Sequence, residues 1–297
     1  MNAAASALAQ GDGRITLTCG RVITYRCYGA VDGRPVLALH GTPGSRLKFS
    51  TTDDSARRLG LCVIAPDRWG YGGTDVHPVP SLAAFAADMG SLADTLGLAR
   101  FAVMGVSGGG PYAAATAALL PTRVAVLALV APVGPMAGED NGAVTTLHRF
   151  CFGPLARRPG VVAAIFGGLR GLLQLSPRLG LSVAMLNVPR ADRQILATGD
   201  VATRLARTFI EGLRPGARGP AIDLHLFGAP WDVPLAEAHM PARLWIGSED
   251  RNVPRVATQR LAERLPRCTV EPLHGAGHLW VAVHYDDVLG WIAEASE

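Results

Sequence analysis

Short, uninterrupted apolar runs alternate along this chain with longer stretches in which apolar residues recur every three to four positions. The opening differs. Residues 15–18 and 22–28 alternate apolar and polar side chains and are joined by Cys19-Gly20-Arg21, the pattern of an antiparallel hairpin. After the Asp32-Gly33 turn, the run at 36–39 predicts a buried strand, and residues 46–59 predict a helix. The cycle repeats, with predicted strands at 62–65, 101–106 and 124–130 and helices at 82–96 and 111–120. It resumes near the end with strands at 244–247 and 269–272 and helices at 255–264 and 283–295. A strand apolar on both sides needs cover on both faces. Such strands alternating with helices imply an α/β architecture, a mostly parallel twisted sheet with helices on both faces.

Residues 132–241 break this rhythm with repeated Gly, Pro and Arg and several amphipathic helical stretches. They read as an inserted helical cap, leaving residues 1–131 and 242–297 as the core. The net charge of +4 comes from 28 basic and 24 acidic residues, and Lys48 is the only lysine. Residues 133–230 hold eleven arginines and six acids, so the positive excess sits on the insert. Such an excess is ordinarily a solvated face, but it leaves room for a lid that attracts anionic substrates. No dense basic run interleaves with aromatics, which argues against a nucleic-acid partner.

The most apolar stretch, 161–186, is interrupted by Arg170, Gln174, Pro177 and Arg178, so no transmembrane segment is expected. Leu172, Leu173, Leu175 and Leu179 are expected to share one apolar face, more readily that of a lid helix over a pocket than one lying on a membrane. The five cysteines, Cys19, Cys27, Cys62, Cys151 and Cys268, are odd in number and scattered, with no C-x-x-C pair. Reduced thiols, together with an opening that lacks the pattern of a secretory signal, lead us to expect a cytoplasmic protein.

The chemistry concentrates at three places. Gly105-Val106-Ser107-Gly108-Gly109 matches G-x-S-x-G and falls between a predicted strand and a predicted helix. A serine in that sharp turn projects its hydroxyl above the sheet, and the small residues Gly105 and Gly109 let neighbouring chain pass close to it. Alone, the motif is weak. Two further matches follow in the order Ser, Asp, His: Asp250 in Gly247-Ser248-Glu249-Asp250 directly after the apolar run ARLWI, and His278 in the loop HGAG-His. That edge of an open parallel sheet is where sites form. Ser107 is the expected nucleophile, His278 the base and Asp250 the acid that orients it.

Glu249 competes with Asp250, but neighbours in an extended segment point to opposite sides. His274 competes with His278 from nearer the strand, while His148, His225, His239 and His284 lack a comparable setting. His40-Gly41-Thr42-Pro43-Gly44 follows another strand and supplies donors for an oxyanion, the backbone N–H groups of Thr42 and Gly108. His40 is expected to pin this loop by hydrogen bonding, with Gly41 beside it as a structural residue.

Taken together, HGTPGSR, APDRWGYGGTD, GVSGGG, GSEDRNVP and GAGH resemble successive landmarks of the α/β-hydrolase superfamily, over about residues 22–131 and 242–295. The cap is not covered. The resemblance implies hydrolysis of an ester, amide, thioester or lactone through an acyl-enzyme, without a cofactor or metal. It gives Asp67 and Arg68 structural places and turns Trp69 toward the pocket. Trp69, together with Trp280 beside the His278 loop and the apolar cap, implies a small, largely apolar substrate. A serine nucleophile argues against the epoxide hydrolases and haloalkane dehalogenases, which resemble this fold but use aspartate. Acyl transfer to an alcohol or peroxide, C–C or C–O cleavage by the same triad, and a ligand receptor with little turnover stay open. Oligomeric state is not legible.

Overall fold

The computed structural model describes residues 10–136, 150–185 and 188–296. Strands β1 (Gly11–Thr16) and β2 (Val22–Gly29) pair antiparallel, with Thr16 opposite Val22 closing the loop around Gly20. They continue into β3 (Arg34–Leu39), β4 (Leu61–Pro66), β5 (Phe101–Val106), β6 (Val124–Val130), β7 (Ala242–Gly247) and β8 (Cys268–Leu273). One eight-stranded sheet results, in the order β1-β2-β4-β3-β5-β6-β7-β8. β2 runs antiparallel to β4, and every pairing from β4 through β8 is parallel.

The central strands are buried on both sides because alternate residues feed two different cores. Leu37, Leu39, Val103, Leu127 and Leu129 point to one face, where α2 (Leu82–Thr95), α3 (Gly110–Leu119) and α9 (Arg255–Glu263) cover them. Val36, Ala38, Met104, Val126 and Ala128 point to the other, under α1 (Asp53–Arg58) and α10 (Tyr285–Ala295). Ser81 caps α2 by accepting the Ala84 N–H at 3.0 Å.

The helix expected over 46–59 is divided. A 3₁₀ turn, Arg46–Phe49, is followed by α1, because the Thr52 hydroxyl donates back to the Phe49 carbonyl and Asp67 holds the Arg46 N–H at 2.7 Å. The last helix likewise starts later than expected, at Tyr285, after a separate 3₁₀ turn at Trp280–Val283.

Between β6 and β7 the described chain forms a π turn at Cys151–Leu155 and five helices: α4 (Pro159–Leu175), α5 (Pro177–Ala184), α6 (Arg190–Leu196), α7 (Val201–Gly212) and α8 (Arg218–Gly228). Leu173, Leu181, Leu205, Phe209 and Leu213 bury one another in a small core, which Leu279 of the His278 loop joins. Its outer side stays apolar, with Val161, Ile165, Leu175, Leu179 and Val183 exposed.

The four leucines expected on one face therefore do not share it: Leu173 is buried, while Leu175 is 81% and Leu179 48% exposed. The cause is Ser176, whose extended backbone breaks the helix and whose side chain caps α5, placing Leu175 and Leu179 on different helices. Leu186 and His148 lie outside the described residues. Among the described residues no helix is long and apolar enough to cross a membrane.

Candidate active site

Ser107 stands where β5 turns into the helical segment leading to α3, and its φ is +54°. A non-glycine residue in that region costs about 1–3 kcal/mol, so surrounding structure must hold it. Here the packing does so. A Cβ on Gly109 would come within 2.2 Å of the Leu39 carbonyl oxygen, so only glycine allows the turn to lie this close to the end of β3. Gly105 and Gly41 meet the same turn from below and from the side.

His278 Nε2 lies 2.9 Å from Ser107 Oγ, and His278 Nδ1 lies 2.8 Å from Asp250 Oδ2. The other Asp250 oxygen accepts the N–H groups of Asn252 at 2.8 Å and Val253 at 3.3 Å, which fixes the carboxylate. Burial pulls the His278 pKa down. The charge and hydrogen bond of Asp250, with the charge of Asp192, outweigh it and leave His278 above its usual value. His274 and Glu249, the two competitors, are both exposed.

The oxyanion candidates also come together. Thr42 lines the cavity that Ser107 faces, in a loop outside any helix or strand, and its N–H has no partner among the described residues. Gly108 occupies the first helical turn, where N–H groups lack intrahelical partners. A Cβ on Gly108 would meet Thr42 Oγ1 at 2.3 Å, so the two segments are in close contact. His40 is fully buried behind them. Its Nε2 accepts the Arg68 N–H at 3.0 Å, which leaves Nδ1 as donor to the Gly41 carbonyl at 2.9 Å. It pins the loop and does not face Ser107.

Two residues with no signal in the sequence brace this arrangement, and both come from the insert. Asp192, at the start of α6 and completely buried, accepts the backbone N–H of His278 at 3.1 Å and of Leu279 at 2.8 Å. A Cβ on Gly277 would strike its carboxylate at 2.2 Å, so the glycine before His278 is what lets Asp192 approach. Burial raises the pKa of Asp192, against the lowering effect of those two amides and of His278.

Asp223, on α8, is likewise buried, and it accepts from Arg68, from Tyr71 Oη at 2.6 Å, from Tyr112 Oη at 2.7 Å and from Thr42 Oγ1 at 2.5 Å. One carboxylate thus ties the loop after β3, the loop after β4 and α3 to the insert. Asp67 and Arg68 are structural, as expected: Asp67 accepts from Thr24 and Arg46, and Arg68 also donates to the His40 and Gly41 carbonyls. Only the spacing of DRW after a buried strand could have hinted that a counter-charge for Arg68 was needed.

The two tryptophans are elsewhere than expected. Trp69 is 3% exposed, stacks on His77, and donates its indole N–H to Asp88 at 2.9 Å, which turns it away from the cavity. Trp280 stacks on His284 and packs on the core under α10. The apolar walls of the cavity, about 80 Å³, come instead from Met185, Leu205, Phe209 and Leu279. Among the described residues no group of His, Cys, Asp or Glu is arranged to hold a metal ion.

A strand–turn–helix with serine at its apex, on a sheet of this order, defines a class of α/β proteins. Residues 34–150 match the alpha/beta hydrolase fold family. The chain has the α/β-hydrolase fold. It is 35% identical over 126 residues to a non-heme chloroperoxidase of Streptomyces lividans, a match spanning 42% of this chain and 46% of that protein. Among solved structures, a carboxylesterase of Nitrososphaera gargenis is similar over 95% of this chain and 98% of its own, with 19% identity and a TM-score of 0.71. The enol-lactonase of Burkholderia xenovorans LB400 is similar over the same shares, with 17% identity and a TM-score of 0.72.

Proposed function

We propose that the protein is a serine hydrolase that cleaves an ester, amide, thioester or lactone bond of a small, largely apolar substrate through an acyl-enzyme on Ser107. The observation that carries this reading is the hydrogen-bonded series Ser107–His278–Asp250, opening on a cavity with one apolar wall. His278 accepts the Ser107 proton as the hydroxyl attacks the carbonyl carbon. Asp250 holds the imidazole tautomer and stabilises the imidazolium that forms. The N–H groups of Thr42 and Gly108 receive the developing oxyanion. His278 then returns the proton to the leaving group, and the same residue activates the water that releases the acid.

Residues 132–241 act as the cap, since Met185, just after α5, and Leu205 and Phe209 of α7 form part of the cavity wall. All five cysteines are free thiols, which suits a reducing compartment such as the cytoplasm.

The test is a fluorophosphonate probe followed by peptide mass spectrometry, with turnover of p-nitrophenyl esters measured in parallel. Label on Ser107 and ester turnover are expected. Label on another serine, or turnover that survives Ser107→Ala, would send the assignment elsewhere. A second reading draws on the likeness to the chloroperoxidase: hydrogen peroxide in place of water would release a peroxy acid, which can oxidise halide. Halogenation of a diketone probe that requires both peroxide and a carboxylic acid, and is lost in Ser107→Ala, would select it over simple hydrolysis.

A further inference from the structure

Besides His278, the one ionisable side chain lining the cavity above Ser107 is Lys48, among the neutral polar residues Thr42, Thr208 and Asn252 and the apolar wall. This lysine is the only one in the chain, and its ammonium group has no hydrogen-bond or ion-pair partner among the described residues. Beside it lies a second, smaller cavity of about 20 Å³, where Lys48, Thr51, Arg204, Thr208 and Tyr285 share the lining with four apolar residues. The two cavities share Lys48, Leu205, Thr208 and Leu279, so Lys48 stands on the partition between them.

The smaller one has mixed walls, and two cations, Lys48 and Arg204, stand on it. Tyr285 is 4% exposed, yet its hydroxyl has no hydrogen-bond partner. A buried unpaired hydroxyl is costly, and so is a half-buried cation without a counter-ion. Burial together with the charge of Arg204 brings the Lys48 pKa down to about 8. Arg204 already has Asp200 on its own helix.

We propose that this second cavity is a subsite for a carboxylate on the substrate, bound by Lys48 and the hydroxyl of Tyr285. One unpaired cation matches one negative charge, and two donors match the two oxygens of a carboxylate. With room for about one water-sized group, the cavity takes one carboxylate oxygen, while the other stays beside Lys48 on the partition. The substrate is then an ester-like compound whose acyl part is apolar next to the scissile bond and anionic at its far end. This substrate class rests on the acyl-enzyme reading above, whereas the anion site itself does not.

The experiment uses two series of methyl esters: monomethyl adipate, pimelate and suberate, and neutral methyl hexanoate, heptanoate and octanoate. Binding to the Ser107→Ala protein is measured by calorimetry, and kcat/KM with the wild type. At its best length the carboxylate series is expected to bind and react about tenfold better than its neutral counterpart. That ratio should fall toward one in Lys48→Met, persist in Lys48→Arg and shrink in Tyr285→Phe, which removes only one oxygen.

A ratio near one at every length in the Lys48-containing proteins, or a ratio that survives Lys48→Met, would overturn the subsite. If neither series is hydrolysed but the Lys48-dependent binding difference is found, the subsite stands and the acyl-enzyme reading falls. Should both series react with no preference, the acyl-enzyme reading stands and the subsite falls.

Discussion

In the core, the residues proposed to carry the chemistry follow the carboxyl ends of parallel strands: Ser107 after β5, Asp250 after β7, His278 after β8 and Thr42 after β3. Their backbones are set by the sheet and by close contacts at glycines. The inserted helices are built the other way, half-exposed and packed around a small core of their own. Yet they contribute Asp192 and Asp223, two fully buried carboxylates that grip the His278 loop and the oxyanion loop. The core carries the groups proposed to react, and the insert holds the two loops on which some of them ride. Fixing a reacting group by hydrogen bonds from a neighbouring layer is what allows a loop to present it accurately.

The largest effect should come from the core. Ser107→Ala is expected to lower kcat/KM by about 10³-fold or more while leaving the thermal midpoint nearly unchanged, and His278→Ala should do the same. His274→Ala should stay within about twofold of wild type, because this residue is exposed and outside the hydrogen-bonded series. An active His278→Ala protein, or a dead His274→Ala one, would reverse the choice between the histidines.

The insert's contribution to stability should be nearly as large. Asp223→Ala leaves the Arg68 guanidinium buried without its counter-charge, which costs about 3–5 kcal/mol in such settings. Urea denaturation followed by circular dichroism measures it. A loss under about 1 kcal/mol would show that the junction of insert and core does not depend on this pair.

Asp192 separates positioning from mere packing. Asp192→Asn keeps the volume but replaces one accepting oxygen with a donor facing a backbone N–H, so kcat should fall about tenfold through a misplaced imidazole. Its charge also matters. Only neutral imidazole acts as base, and the His278 pKa is raised, so kcat/KM in the wild type should rise with pH around a midpoint above 6.5. Removing the Asp192 charge takes away one cause of that elevation, so the midpoint should move to lower pH in Asp192→Asn. A lower kcat with an unmoved midpoint would leave Asp192 a purely structural residue.

The smallest step is per carbon. With the walls formed by Met185, Leu205, Phe209 and Leu279, each methylene added to an unbranched neutral ester should raise kcat/KM about fourfold until the cavity fills, from about 0.8 kcal/mol per buried CH₂. Leu205→Ala and Phe209→Ala should flatten that slope, whereas Trp69→Phe should not. A slope sensitive to Trp69 would return that residue to the pocket.

The sequence by itself determined the sheet, its two apolar faces and the serine, aspartate and histidine, because these rest on local rules. An uninterrupted apolar run marks a strand covered on both sides, and a glycine-flanked serine between strand and helix marks a turn that only small neighbours permit. Alternation in an extended segment allowed only one of Glu249 and Asp250 to face the histidine, and the place of Asp250 before Arg251-Asn252-Val253-Pro254 favoured it.

Tertiary structure alone decided everything that depends on two distant segments meeting. Asp192 meets His278 across 86 positions and Asp223 meets Arg68 across 155, and neither acid differs in its own neighbourhood from a solvated helix residue. Trp69 was misjudged for the same reason: its direction is set by Asp88 and His77, partners that no local pattern names. Lys48, unremarkable in the chain except as its single lysine, became a candidate ligand only when folding placed it between two cavities with no acid beside it. A buried charge is defined by what surrounds it, and the surroundings are a property of the packed chain.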